Sequence, residues 1–326
     1  MSVLITGGAG FIGSNFTIEM AKTGFKDKEL VVVDYNLDNC RYLKDVVIDQ
    51  GLDAGITIIC ADYSNDDILQ RVKDKEFEQV VHFAAVPRVS YSVEHPSETT
   101  RENIYKLSLL LEACSNSCDR FIFASSSSVY GGSENLPTSE TEPLDPQSPY
   151  ALQKKVGEEM CSLFSLLYGL DTVCFRFFNV FGPHQFGDSP YSTVISAWCH
   201  AITHGSKLRL DGTGEVSRDF CYVTNVCDML IECFNSNKKY NAECFNVACG
   251  EKYSLIDILD YFKKEYNISE EDIDHAPPRA GDVMHTCADM TKAYKAFNIN
   301  KDSQVSFWDG LRETEEWWKS MKEVKV

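Results

Sequence analysis

Thr6-Gly7-Gly8-Ala9-Gly10-Phe11-Ile12-Gly13 follows the apolar run Val3-Leu4-Ile5 and opens a helical segment from about Phe11 to Lys22. Glycines 7, 10 and 13 give a GxxGxxG spacing. They permit a tight turn, close approach of a pyrophosphate to backbone N–H groups at a helix start, and close helix packing. Asp34 ends the second run, Leu30–Val33, 21 residues after Gly13. An acidic residue there binds ribose hydroxyls and repels a 2′-phosphate, which favours NAD over NADP. Gly7, Gly10, Phe11, Ile12, Gly13 and Asp34 are therefore expected to hold NAD. Asp62 and Tyr63, just past the third run, are expected to lie against the adenine.

The alternation that starts here continues. Short apolar runs at Ser2–Thr6, Leu30–Val33, Ile56–Cys60, Gln79–Phe83, Phe121–Ala124 and Thr172–Phe177 alternate with helical segments. These include Asn39–Gln50, Ser97–Ser115 and a helix from Tyr150 to about Tyr168. Runs apolar on both faces mark buried parallel strands. The pattern predicts an α/β fold, a doubly wound, mostly parallel Rossmann sheet. After Asn179 the rhythm breaks. A helix near Tyr191–Thr203, a turn-rich Lys207–Glu215, a helix at Ser254–Glu265 and a Pro/Gly loop at Ala276–Val283 suggest a smaller α/β substrate-binding lobe. Phe220–Val223 and Cys244–Val247 are expected to rejoin the first sheet. The expected division is 1–179 with about 217–248 for cofactor, and 180–216 with 249–326 for substrate.

The chain has 326 residues and a net charge of −18, which argues against nucleic acid and anionic membrane surfaces as partners. A phosphate ligand would then need local arginines. Thirteen cysteines, none in a CxxC pair, are scattered through apolar runs. They read as free thiols in a reducing, cytoplasmic compartment. No signal peptide is expected, and no apolar run approaches the ~20 residues of a membrane span. His200 and His204 have i, i+4 spacing, but no third ligand accompanies them, so no metal is expected.

Ser148-Pro149-Tyr150-Ala151-Leu152-Gln153-Lys154 is the second stretch that carries chemistry. Ser148 suits a helix cap and Pro149 its first position. Tyr150 and Lys154 then share one face. A cation one turn away and the positive helix end both favour a phenolate, which is a general base for a hydroxyl.

Gly7/Gly10/Gly13, Asp34, Ser125–Tyr130 and Tyr150/Lys154 together resemble the extended short-chain dehydrogenase/reductase family, in its sugar-nucleotide epimerase and dehydratase branch. Further similar blocks are Phe83-Ala84-Ala85, Phe175–Pro183, Ser217–Phe220 and Pro278–Val283. The resemblance covers essentially the whole chain. It implies a catalytic trio of Ser126, Tyr150 and Lys154, with Lys154 also on the nicotinamide ribose, and adds Ala84, Ala85 and Phe178 to the cofactor site. It implies that Tyr150 takes the C4 hydroxyl proton of a nucleotide sugar while NAD accepts the C4 hydride.

Similar 4,6-dehydratases carry Asp and Glu where this chain has Ser127 and Ser128, and the decarboxylases keep a Glu at the position of Ser128. A serine hydroxyl cannot replace a carboxylate as acid or base near neutral pH. The serine run therefore favours 4-epimerisation, with Ser127 and Ser128 beside the sugar. By the same resemblance Arg218 and Arg279 bind the diphosphate of a UDP-sugar, Asp282 the uridine ribose, and Asn179 and Val194 the ligand nearby. Bidentate guanidinium–phosphate pairs would answer the charge problem locally.

Thr286 matches a gate position where a Tyr accompanies restriction to glucose and galactose. A small residue there leaves room for a 2-acetamido group. Tyr191–Trp198 and Asp211–Tyr222 look most like the bacterial and archaeal UDP-N-acetylglucosamine 4-epimerases. The rival is UDP-glucuronate 4-epimerase, kept open by Arg88 near the expected sugar pocket. A reading of another class is an NAD-binding sensor without turnover, but such proteins typically lose the Tyr or Lys. The segments Ser97–Ser115 and Tyr150–Tyr168 resemble the helix pair that forms the family's homodimer.

Overall fold

β1 (Ser2–Thr6) and β2 (Leu30–Asp34) are largely apolar runs, β4 (Phe77–His82) is buried at every residue but Glu78, and β3 (Ile56–Cys60) flanks them. β5 (Arg120–Ser126) and β6 (Asp171–Phe177) continue the layer. The computed structural model describes residues 2–23, 29–187, 192–278 and 283–323. From one edge the sheet runs β3, β2, β1, β4, β5, β6, with Glu243–Val247 as its seventh strand. All the pairings from β3 to β6 are parallel. The order reverses between β1 and β4, and ligands of such sheets bind at that switch, outside the carboxyl ends of the strands. The glycine turn leaves β1 there.

The chain divides into two compact units. The first holds Met1–Val129, Pro146–Phe177 and Cys227–Phe245, and the second Tyr130–Asp145, Phe178–Val226 and Asn246–Val326. The first unit's core joins Leu4, Val31, Val33, Phe77, Leu107, Leu110, Leu111, Phe121 and Phe123. The starts of β5 and β6 are tied by a buried pair: Arg120 Nε donates to Asp171 Oδ2 at 2.8 Å. The Arg120 guanidinium also donates to the carbonyls of Cys233, Ser236 and Lys238, and Asp171 Oδ1 accepts from the Tyr240 and Asn241 amides.

The expected single helix from Ser97 to Ser115 is three pieces: Pro96–Thr100, a π turn at Arg101–Tyr105, and Lys106–Cys114. The Tyr150 helix runs Pro149–Tyr168. Ser148 Oγ caps the Ala151 amide, and Gly169 closes the helix in the left-handed region at φ +71°.

The second unit is built from small ladders. Phe220–Tyr222 does not rejoin the first sheet as expected; it pairs in parallel with Asn179–Phe181. Its side chains are fully engaged locally, since Phe220 packs on Phe181 and Phe307. The turn-rich stretch 207–215 contains a strand, Leu208–Asp211, parallel to Ile273–Ala276. Ser217–Arg218 pairs antiparallel with Tyr253–Ser254. The unit's helices include Val194–His204, Leu255–Tyr266, Thr291–Phe297 and Phe307–Glu323, and Tyr191 lies outside the described residues. Relative to the sequence-based division, 130–145, 178–179, 217–226 and 246–248 fall in this unit.

Candidate active site

The glycine turn is packed too tightly for side chains. Gly7 has φ +67°, and a Cβ there would lie 2.5 Å from the Ala84 amide nitrogen. A Cβ on Gly13 would lie 2.4 Å from the Gly7 carbonyl oxygen. Phe83 and Ala84 amides both donate to the Thr6 carbonyl, which fixes the start of the loop after β4 against the turn. Gly10 precedes the Phe11–Lys22 helix and supplies no side-chain cap. The amides of Phe11, Ile12 and Gly13 therefore open the helix with no side-chain acceptor from the N-cap, the donor set a diphosphate needs. Asp34 is buried at the end of β2, with its carboxylate accepting from the Ala9 amide at 3.2 Å and the Asn36 amide at 3.0 Å. Burial pushes its pKa up, and these amides hold it down. These groups fit NAD. Ala85 follows in the same loop, half-buried.

Two expected adenine residues are otherwise engaged. Asp62 pairs with Lys106 at 2.5 Å and accepts from Ser64. Tyr63 is buried, its ring edge-on to His82 and its hydroxyl donating to the Glu102 carbonyl. The Tyr63 phenol is part of the core.

In the first unit, β5 delivers Ser126 and the Pro149–Tyr168 helix delivers Tyr150 and Lys154. Ser126 acts on the Tyr150 hydroxyl and favours its ionised form. The expectation that Lys154 and the helix end hold Tyr150 as a phenolate is corrected. Burial, with only 8% of Tyr150 exposed, pushes it up to about 12. Ser126 and the charge of Arg88 pull it down. Lys154 Nζ instead donates to the Ala124 carbonyl at 2.6 Å, 5.8 Å from the Tyr150 ring centroid. Burial lowers the Lys154 ammonium to about 8. Gly157 makes this possible, because a Cβ there would lie 2.4 Å from Phe123 Cζ, and Lys154 Nζ sits 4.9 Å over that same ring.

Arg88 thus acts through its charge on Tyr150, one of the expected catalytic trio. Sequence reasoning had placed it only near the sugar. Its loop is braced onto the Pro149–Tyr168 helix. The Tyr150 amide donates to Ser92 Oγ at 3.1 Å, and the Ser92 amide donates to the Arg88 carbonyl. Asn103, in the π turn, exchanges hydrogen bonds with the Val86 backbone and donates to Gln153 Oε1 at 2.7 Å. Gln153 donates in turn to Thr99 and Thr100. π turns of this kind recur at functional sites.

The serine run splits by role. Ser125 donates to Glu158 at 2.5 Å, and Glu158 makes a bidentate pair with Arg176, both carboxylate contacts under 3 Å. Sequence reasoning missed this pair, whose only signal was two opposite charges within apolar segments. Ser127 and Ser128 begin a 3-10 turn, Ser127–Tyr130, rather than extending the strand. The Ser128 amide donates to Ser126 Oγ, and the Ser128 hydroxyl is buried with no hydrogen-bond partner among the described residues. Buried hydroxyls are normally paired, so this one is available to a ligand.

The second unit gathers Asn179, Arg218 and Thr286. Thr286 Oγ1 accepts from the Asp219 amide at 3.2 Å and from Asn179 Nδ2 at 3.4 Å. Asp219 anchors this corner by accepting from the amides of Cys249, Gly250 and Ala288. Arg218 donates to the carbonyls of Ser217 and Met284. Phe178 is buried, with its amide bonded to the Val247 carbonyl. Val194 begins its helix, half-buried. Arg279 and Asp282 lie outside the described residues. Among the described residues no group of three acidic, His or Cys side chains is placed to hold a metal, and no helix is long and apolar enough to cross a membrane.

A family model described as the NAD dependent epimerase/dehydratase family matches residues 3–248. A solved UDP-N-acetylglucosamine 4-epimerase from Methanobrevibacter ruminantium, in complex with UDP-N-acetylmuramic acid, is 32% identical, with 98% of each chain covered and a TM-score of 0.85. The UDP-glucuronic acid 4-epimerase of Bacillus cereus, solved with UDP-glucuronic acid and NAD, is 27% identical. It covers 98% of this chain and 100% of its own, with a TM-score of 0.88. UDP-glucuronate 4-epimerase 1 of Arabidopsis thaliana is 29% identical over 98% of this chain and 77% of its own length.

Proposed function

This chain belongs to the NAD-dependent epimerase/dehydratase family, and on that premise we propose that it is a UDP-sugar 4-epimerase whose preferred pair is UDP-GlcNAc and UDP-GalNAc, with UDP-glucose and UDP-galactose also accepted. The observation that carries the reading is the Ser126–Tyr150 pair with serines, not carboxylates, at 127 and 128. Gly7, Gly10, Gly13, the first-turn amides and Asp34 would hold NAD, which supplies a hydride acceptor and donor for the sugar C4. As a phenolate, the form that Ser126, the Arg88 charge and the positive nicotinamide of bound NAD would favour against burial, Tyr150 takes the proton of the C4 hydroxyl as the 4-keto sugar forms. Ser126 holds that oxygen in line. The keto sugar turns over, and Tyr150 returns the proton to the C4 oxygen of the other epimer. No acid at 127 or 128 is needed, because nothing leaves C5 or C6.

Arg218 and Arg279 would hold the diphosphate while the sugar turns, and Asp282 the uridine ribose. The second reading, UDP-glucuronate 4-epimerase, is favoured by Arg88, a cation whose charge reaches Tyr150. The assay incubates the protein separately with UDP-GlcNAc, UDP-glucose and UDP-glucuronate and resolves the C4 epimers. Interconversion of the N-acetylhexosamines is the expected result. Turnover of glucuronate alone would move the assignment to the second reading, and accumulation of a 4-keto-6-deoxy sugar would sink both.

Thr286→Tyr is expected to lose the acetamido sugar selectively while hexose turnover persists. Thr286→Ser, which keeps the hydroxyl on Asn179 and Asp219, should leave the preference alone. An unchanged substrate ratio in Thr286→Tyr removes the gate. The proposal includes a homodimer through the helical segments 97–115 and Pro149–Tyr168, supported by exposed Tyr105, Leu163, Leu166 and Leu167. It also includes a cytoplasmic location, supported by thirteen free thiols.

A further inference from the structure

All thirteen cysteines lie among the described residues, and Cys60 is the exposed one. It is the last residue of β3, in register with Asp34 on β2. Cys40 lies in the Leu37–Asp49 helix that follows β2 and is 5% exposed. The two thiols converge on the backbone that carries the expected ribose ligand. Cys40 Sγ donates to the Asp34 carbonyl at 3.5 Å, and Cys60 Sγ to the next carbonyl, that of Tyr35, at 3.7 Å. Cys60 is also among the neighbours that raise the Cys40 thiol. Other thiol neighbours lack this access. Cys114 is buried beside Cys118, Cys161 and Cys174 beside Cys244, and Cys221 beside Cys249, and none of these thiols is exposed.

We propose that Cys40 and Cys60 are a thiol-modification site, closed to a disulfide by a hydroperoxide and reopened by a thiol reductant, and that closure weakens NAD binding through Asp34. The ligand half rests on the NAD reading of Asp34. The Cys60 thiolate attacks the peroxide, the O–O bond breaks, and sulfenic acid and hydroxide form. The Cys40 sulfur then displaces hydroxide from the Cys60 sulfur, its proton leaving with that hydroxide as water. The sum is two thiols and one hydrogen peroxide giving one disulfide and two waters. Burial and the nearby Asp34 charge keep Cys40 protonated, pushed up to about 12, so the exposed thiol is the one oxidised first. A disulfide draws the sulfurs to about 2.05 Å with a fixed dihedral. The helix start, the end of β3, or the Asp34–Tyr35 segment between them must take up that movement, and both S–H donors to the segment are lost.

The test uses the full chain, reduced or treated with hydrogen peroxide. Peptide mapping should find residues 40 and 60 joined with the loss of two hydrogens. Titration calorimetry should find NAD about tenfold weaker in the oxidised form, the size of one lost hydrogen bond to a charged group. Dithiothreitol should restore both. Cys60→Ser and, separately, Cys40→Ser should bind NAD like the reduced wild type and ignore peroxide. Oxidation of Cys60 with no link to Cys40, or a mapped link with unchanged NAD affinity, overturns the proposal alone. Failure of the reduced wild type to bind NAD overturns the cofactor reading of Asp34 and the affinity consequence with it.

Discussion

Tyr150→Phe is expected to lower UDP-sugar epimerisation by about 10³-fold, within the range a positioned proton-transfer group supplies. NAD affinity should change little, because the glycine turn and Asp34 are untouched. The phenylalanine fills the same buried space, so stability should hold as well. Epimer formation followed by NMR, with NAD titration alongside, separates the outcomes. Activity within tenfold of the wild type would remove Tyr150 from the proton-transfer role. A protein whose biological function survived the substitution would instead be the sensor. Arg88→Gln should act in the same direction more weakly, since it removes one of the two influences that lower the Tyr150 pKa.

Glu158→Ala is expected to cost about 3–5 kcal/mol, the penalty for leaving a buried ion without its partner. Glu158 and Arg176 side chains are each 6% exposed, and the pair is bidentate. Removing the carboxylate takes the bidentate partner from the guanidinium and the acceptor from the hydroxyl of Ser125, one residue before the proposed catalytic Ser126. Urea unfolding monitored by tryptophan fluorescence measures the loss. The double substitution Glu158→Leu with Arg176→Met should recover much of it, because apolar replacements of similar volume remove the stranded charge. Equal instability of the single and double variants would show that packing, and not the ion pair, sets the cost.

The strands around the nucleotide turn were legible because each is a short run apolar on both faces, and the glycine turn fixed where the first one stops. Ladder partners of the second unit were not legible. Phe220–Tyr222 has the same β-like composition as a sheet strand, yet its choice of Asn179–Phe181 depends on aromatic packing from Phe307, far along the chain. The break in the 97–115 helix was hidden because a π turn leaves the apolar pattern nearly intact. Within the site, Y-x-x-x-K spacing located the right helix but misjudged the electrostatics. Spacing puts Lys154 on the face of Tyr150; it says nothing about the Ala124 carbonyl that captures the ammonium or the burial that raises the phenol. Arg88 comes from a loop with no regular period, and only the folded chain brings its charge to Tyr150. Arg218 and Thr286 came from matched blocks, and the structure adds the hydrogen bonds that hold Thr286.

The bracing of the Arg88 loop bears on how substrate preference can be transferred between relatives. Ser92, Asn103 and Gln153 make residues 86–92 and the start of the Pro149–Tyr168 helix one mechanical piece. A graft of this loop from another sugar specificity that leaves those three behind would register as a loss of turnover, although no reacting group had been exchanged. Such chimeras should be cut outside 86–103 and should carry residue 153 with the insert.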